Sequence, residues 1–247
     1  MSLVSNHHFP RHSHEQFGMG VVHFGAHRSW SGVGQVEAFA GDVIMVNPDE
    51  IHDGMPAGEA ARGWQIIYFD PSLVAREVAE EIVRPAEIMP VARDPYLAQL
   101  VVRLFACLTA PCPDALATEE TLLRSLLRAF SRHSVAQPRS PSPPPSVAKA
   151  IRRLDAEPES NVSLAELAAL SGVSRFQLLR GFVGTMGITP HAYLVQRRVR
   201  LARRLLAGGQ TPVEAAIGAG FADQSHMTRA FVRHVGVTPA RYQAALA

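Results

Sequence analysis

Two periodicities divide the chain. Residues 16–69 hold short apolar runs separated by glycine and polar turns: Gly20–Phe24, Gln35–Phe39, Asp42–Val46 and Trp64–Phe69. Runs of this length, rich in β-branched and aromatic residues and punctuated by Gly-Asp or Asn-Pro, predict strands. Residues 72–83, 94–109 and 115–134 carry helical spacing instead. Leu97, Leu100, Val101 and Leu104 make one stripe, and Leu122, Leu123, Leu126, Leu127 and Phe130 another. A β-sandwich or barrel followed by two or three helices is expected. Gln137 to Ser146 then breaks the pattern with five prolines. They remove backbone donors and favour an extended, semi-rigid linker.

Beyond the linker the pattern is helical with short turns, and it repeats. Ser163, Glu166 and Gly172 recur as Thr211, Glu214 and Gly220 at an offset of 48 residues. At an offset of 49, Arg180, Phe182, Gly187, Thr189-Pro190 and Tyr193 recur as Arg229, Phe231, Gly236, Thr238-Pro239 and Tyr242. Ser163…Glu166 and Thr211…Glu214 fit the capping box of a helix start. Gly172 and Gly220 suit a left-handed helix end. Ser174 and Asp223 can cap the next helix. Helix, glycine turn, helix is the helix-turn-helix arrangement.

Helical geometry then sorts the residues. Leu178 and Phe182 in the first second-helix, and Met227 and Phe231 in its copy, turn to the core. Arg175, Phe176, Leu179 and Arg180 face outward in the first copy. Gln224, Ser225, Thr228 and Arg229 do so in the second, with His226 to one side. Arginine can bond guanine twice and glutamine adenine twice, which suits base reading. A helix from Pro190 to about Ala207 joins the copies, with a buried stripe of Val195, Val199, Ala202 and Leu206. Arg197, Arg200 and Arg204 line an exposed face, read either as phosphate contacts or as a solvated basic face.

Charge supports a polyanion partner for one half only. Residues 1–137 hold 10 Arg against 16 Asp and Glu, whereas residues 138–247 hold 14 Lys and Arg against 6. No apolar run is long enough to span a membrane and no secretion signal is visible, so a cytoplasmic protein is expected. Cys107 and Cys112 fit no zinc spacing and read as reduced thiols. No nucleophile-base-acid set and no phosphate-binding glycine loop appear, so neither catalysis nor a cofactor is expected.

The tandem repeat, the Gly-Phe-Ala-Asp-Gln-Ser start at Gly220–Ser225 and the two Thr-Pro-x-x-Tyr endings resemble the AraC family of transcription regulators. The resemblance implies double-stranded DNA as partner, with the two outward helix faces in successive major grooves. His12-Ser13-His14-Glu15 and the block Asn47 to Gly54 resemble the cupin-like effector domain found in front of such regions. That implies a small jelly-roll β-barrel holding a small-molecule effector, followed by helices used for dimerisation. The fold class expected is α+β in two domains: a cupin-like barrel plus helices over 1–134, a linker over 135–146, and an all-α tandem helix-turn-helix domain over 147–247.

Within the barrel, His12, His14, Glu15, His52 and Trp64 are candidate ligand contacts. His12 and His14 alternate onto one strand face. Three readings stay open for the histidines: pocket lining, structural hydrogen bonding, or a metal held by His12, His14 and His52. Against metal, Glu15 follows His14 at once, where a metal cupin wants a gap. His23 and His27 show no partner pattern and read as surface. The helix 115–134 is the candidate homodimer element, or else its stripe packs on its own barrel. The rival functions are a metal-binding cupin fused to a DNA module and a regulator whose barrel only mediates assembly.

Overall fold

A computed structural model describes residues 1–78, 86–136 and 143–246. They fall into two compact units that divide within the proline-rich stretch, except that residues 9–12 group with the C-terminal unit. None of the described helices is long and apolar enough to cross a membrane.

The strands of the chain are β1 (Ser2–Ser5), β2 (Phe9–His12), β3 (Phe17–Phe24), β4 (Ala26–Ser31), β5 (Gly34–Phe39), β6 (Val43–Val46), β7 (His52–Pro56), β8 (Arg62–Phe69), β9 (Ala86–Ile88), β10 (Val91–Ala92) and β11 (Ser134–Ala136). In the N-terminal unit one antiparallel sheet runs β1-β8-β3-β6-β10, and β7, β4 and β5 follow one another in a second. These are packed jelly-roll-like sheets rather than a closed barrel.

The two-residue period of a strand gives the first sheet two different faces. Met19, Val21, Val43, Met45 and Phe69 share one core with the helices α1 (Pro71–Val78), α2 (Pro95–Thr109) and α3 (Ala115–His133). Those helices contribute Val74, Leu97, Val101, Leu104, Leu126 and Phe130. The alternate positions Arg62, Trp64, Ile66 and Tyr68 belong to the opposite face. The helix expected over 72–83 is seen through Val78, and its remaining positions lie outside the described residues. Leu126 and Phe130 pack on their own domain, with Leu122 partly buried beside them, which is the bland alternative for that stripe.

Asp94 fastens α2 to α3. Its carboxylate caps α2 by accepting from the amides of Tyr96 and Leu97, and it accepts from Arg128 Nε and His133 Nε2, both at 2.8 Å. Burial works to raise its pKa, but the Arg128 and His133 hydrogen bonds outweigh it and hold the carboxyl well below the usual range. Of the stretch expected as linker, 135–146, residues 137–142 lie outside the described residues. Ser134–Ala136 pairs with Ala86–Ile88, and Pro145 already opens a helix, where its missing N–H costs nothing.

The C-terminal unit holds α4 (Pro145–Ala156), α5 (Leu164–Ser171), α6 (Arg175–Met186), α7 (Pro190–Ala207), α8 (Pro212–Gly218), α9 (Gln224–Val235) and α10 (Pro239–Ala244). Both expected capping boxes form: Ser163 with Glu166, and Thr211 with Glu214. The long helix α7 serves both repeats. Its N-terminal part buries Tyr193 and Leu194 near α6, and its C-terminal part puts Val199, Ala202 and Leu206 into the second core. Being buried on two sides, it departs from the single expected stripe: Val195 is only partly buried, whereas Gln196 is buried and donates to Arg11 O at 2.9 Å.

A loop of the first repeat ties the two copies together. Arg198 donates from Nε to Pro158 O at 2.8 Å and from a terminal nitrogen to Ser160 O at 3.2 Å. Gly220, at φ +77°, lies so close that a Cβ there would sit 2.3 Å from Glu159 O. Gly172, at φ +69°, has the same left-handed backbone but open space around it. A left-handed non-glycine residue costs about 1–2 kcal/mol by itself. Gly172→Ala should therefore cost about that much in urea unfolding, and Gly220→Ala about 3 kcal/mol or more because it adds a backbone clash. Equal costs would show that the Glu159 contact contributes nothing.

Candidate nucleic-acid interface and ligand site

Each outward helix of the C-terminal unit is set by the same three devices. Its start is capped: Ser174 accepts from the Gln177 amide on α6, and Asp223 from the His226 amide on α9. Its end turns at a left-handed glycine, Gly187 or Gly236. Its inner face is a fully buried pair, Leu178 with Phe182 or Met227 with Phe231. Both phenylalanines meet the tyrosine of the following helix edge-on. Phe182 and Tyr193 lie 5.7 Å apart at 74°, and Phe231 and Tyr242 lie 5.5 Å apart at 65°.

With those faces inside, Arg175, Phe176, Leu179 and Arg180 are exposed on α6, and Gln224, Ser225 and Arg229 on α9. His226 and Thr228 are half-buried, and the His226 ring turns edge-on to Phe221 at 5.2 Å. Arg180 and Arg229 thus stand at equivalent places, each on the side of its helix away from the core. The basic face of α7 is less open than the sequence implied. Arg197 donates from Nε to Asp155 at 2.5 Å and its guanidinium lies 5.4 Å from the Tyr193 ring centre. Arg200 is half-buried, and Arg204 is exposed. Tyr193 donates to the same Asp155 oxygen at 2.8 Å, and burial pushes its hydroxyl above the usual phenol range.

The N-terminal unit contains a second cluster, on the sheet face away from the helices. His14 lies 5.1 Å from His52 and 5.0 Å from Tyr68, ring centre to ring centre. His52 Nδ1 lies 2.9 Å from Glu50 O, which places the proton on that nitrogen. Asp49, whose amide donates to His14 O at 2.6 Å, holds a left-handed backbone at φ +59° in the loop between β6 and β7. Of the residues proposed from sequence, His14 and His52 meet here, whereas Trp64 lies farther along β8, its ring 6.3 Å from that of His27. Glu15 is exposed, and His12 belongs to the C-terminal unit, where its ring is 6.4 Å from His234.

Arg62, His27 and Tyr68 were missed. Arg62 is 0% exposed, donates from Nε to His27 Nδ1 at 2.8 Å and lies 4.7 Å from the Trp64 ring centre. Its alternation with Trp64, Ile66 and Tyr68 along β8 was the available signal. His27 is thus not a surface residue: β4 pairs with β7 through it and turns its ring toward Trp64. Burial, and then the Arg62 charge, push His27 down to about 3, and burial pushes Arg62 down to about 10.

Known proteins resemble the chain in both parts. The AraC-like ligand binding domain family matches residues 4–127, and a helix-turn-helix domain family matches residues 167–245. The uncharacterized HTH-type transcriptional regulator YbfI of Bacillus subtilis is 30% identical over 230 residues, covering 89% of this chain and 81% of that protein. The probable transcriptional regulator LumQ of Photobacterium leiognathi is 38% identical over 86 residues, 34% of this chain and 35% of its own length. Among solved structures, ToxT of Vibrio cholerae aligns over 100% of this chain and 97% of its own with a TM-score of 0.59 at 11% identity. Another ToxT structure, TM-score 0.57 at 11% identity over 98% of this chain and 92% of its own, is bound to an unsaturated fatty acid.

The His27 environment makes a pH prediction. An unfolded histidine takes a proton near pH 6.5, whereas folded His27 resists until about 3. The unfolded state therefore gains protons first, and stability falls as pH drops through that window, by up to about 1.4 kcal/mol per pH unit. His27→Asn keeps an acceptor for Arg62 and should flatten that slope in pH-dependent unfolding. Unchanged slopes would contradict the assigned burial of a neutral His27.

Proposed function

The chain belongs to the AraC family of transcription regulators, DNA-binding proteins with a ligand-binding domain in front, and from that premise we propose how its residues divide the work. The outward faces of α6 and α9 read base edges in successive major grooves of double-stranded DNA. Arg180 and Arg229 carry the strongest contacts, with Arg175, Phe176, Leu179, Gln224 and Ser225 around them. One observation carries this reading: two copies of one capped helix present an arginine at the same place, away from the same edge-on Phe-Tyr pair. α7 supports the spacing, since its 18 residues span about 27 Å against roughly 34 Å for a turn of DNA. Arg200 and Arg204 contribute phosphate contacts, and Arg197 mainly orders Asp155 and Tyr193.

A small molecule binds on the inner face of the N-terminal sheets, against His14, His52, Trp64 and Tyr68, with Arg62 and His27 at its end. Binding biases the arrangement in which the tandem unit meets DNA, by as much as its affinities for the alternative arrangements differ. The protein works in the cytoplasm as a homodimer. Leu126 and Phe130 are spent on its own core, so the dimer contact falls to the half-buried Leu123 and Leu127 and the exposed Leu116 of α3.

The test uses a DNA site selected from random duplexes by the purified protein. Arg229→Ala should weaken specific binding about 10- to 100-fold, with unfolding stability within about 0.5 kcal/mol of the parent. Specific affinity should also fall steeply with salt. Unchanged affinity would remove Arg229 from the reading face. A thermal-shift panel of amino acids, sugars, aromatic acids and an unsaturated fatty acid tests the sensor. A rise that Trp64→Ala abolishes supports sensing, and no rise with any probe supports a domain that only assembles.

A further inference from the structure

The two recognition helices differ in one detail that bears on specificity. On α6 the Arg180 guanidinium carbon lies 5.3 Å from the ring centre of Phe176, one turn earlier. Phe176 is 69% exposed and contributes nothing to the core. Ser225 stands at the matching place on α9, four residues before Arg229, and has no ring to offer it. The two copies thus carry the same arginine, one on an aromatic platform and one without.

A stacked guanidinium keeps its in-plane N–H groups free while losing rotational freedom. That in-plane fork is what matches the two acceptors of guanine in the major groove. Fixing it before DNA arrives reduces the ordering that binding must impose. We propose that Phe176 is a positioning residue that presets Arg180 for guanine, so that the first helix discriminates at its central base pair more stringently than the second. This rests on the assignment of Arg180 to the DNA-reading face.

The test compares the full-length parent with F176L, F176W, R180A and the double variant F176L/R180A. Binding is measured by fluorescence anisotropy on the selected duplex, on the same duplex with the base pair whose preference R180A erases replaced, and on unrelated DNA. F176L should lose about two- to fivefold on the selected duplex, with little change on the other two. F176W should restore the parent affinity, and the double variant should bind no worse than R180A. F176L equal to the parent, additive losses in the double variant, or equal losses on all duplexes would each overturn the platform. R180A leaving binding unchanged would overturn the underlying assignment as well, whereas R180A weakening binding beside a neutral F176L overturns the platform alone. Because Phe176 is outside the core, F176L should melt with the parent, and a matching loss of melting temperature would make its role structural.

Discussion

The contact on which the C-terminal unit depends is the edge-on packing of a phenylalanine against the tyrosine of the next helix. It occurs once in each repeat, Phe182 on Tyr193 and Phe231 on Tyr242. A buried ring with a fixed neighbour sets the rotation of its helix about the helix axis. Everything four residues around that helix is then determined, including which way Arg180 and Arg229 point. The caps and the left-handed glycines set where each helix starts and stops. The loop at Pro158–Ser160, held by Arg198 and closed on by Gly220, sets one repeat against the other. Rotation, ends and relative placement come from three separate groups of residues, so each can be altered with the others intact.

The N-terminal unit solves a different problem with the same economy. One sheet is buried on both faces, which costs a polar inventory on the side away from the helices. Arg62, His27, His14 and His52 have hydrogen-bond or aromatic neighbours there. Buried polar groups so arranged suit recognition of a small molecule, because a ligand that cannot match them leaves them unsatisfied.

Much of this was legible in the sequence, and what was not has identifiable reasons. The repeat made the caps, the glycine turns and the outward arginines readable, because each is a local decision about a helix end or a helix face. The long helix α7 shows one stripe in sequence because a period marks a single buried side, whereas packing on α6 buries Tyr193 as well and Gln196 is buried where it donates to Arg11 O. The strands β1, β4 and β7 went unread because Ser, His, Arg and Gly dilute their apolar pattern. With β4 and β7 unread, His27 had no partner in view, and nothing singled out Arg62 at the start of β8. In α3 the stripe left two readings open, a dimer contact or packing on its own domain, because a helical period marks a buried face without saying what covers it; Leu126 and Phe130 join the domain's own core, with Leu122 partly buried beside them.

The central claim is that the two Phe-Tyr pairs aim two arginine-bearing helices at one side of a DNA duplex. Hydroxyl-radical footprinting of the full-length protein on its selected site tests this most directly. The account predicts two protected stretches about 10 base pairs apart on the same face of the duplex, with Phe231→Leu erasing one of them and leaving the other. A single protected stretch, or two on opposite faces, would contradict it.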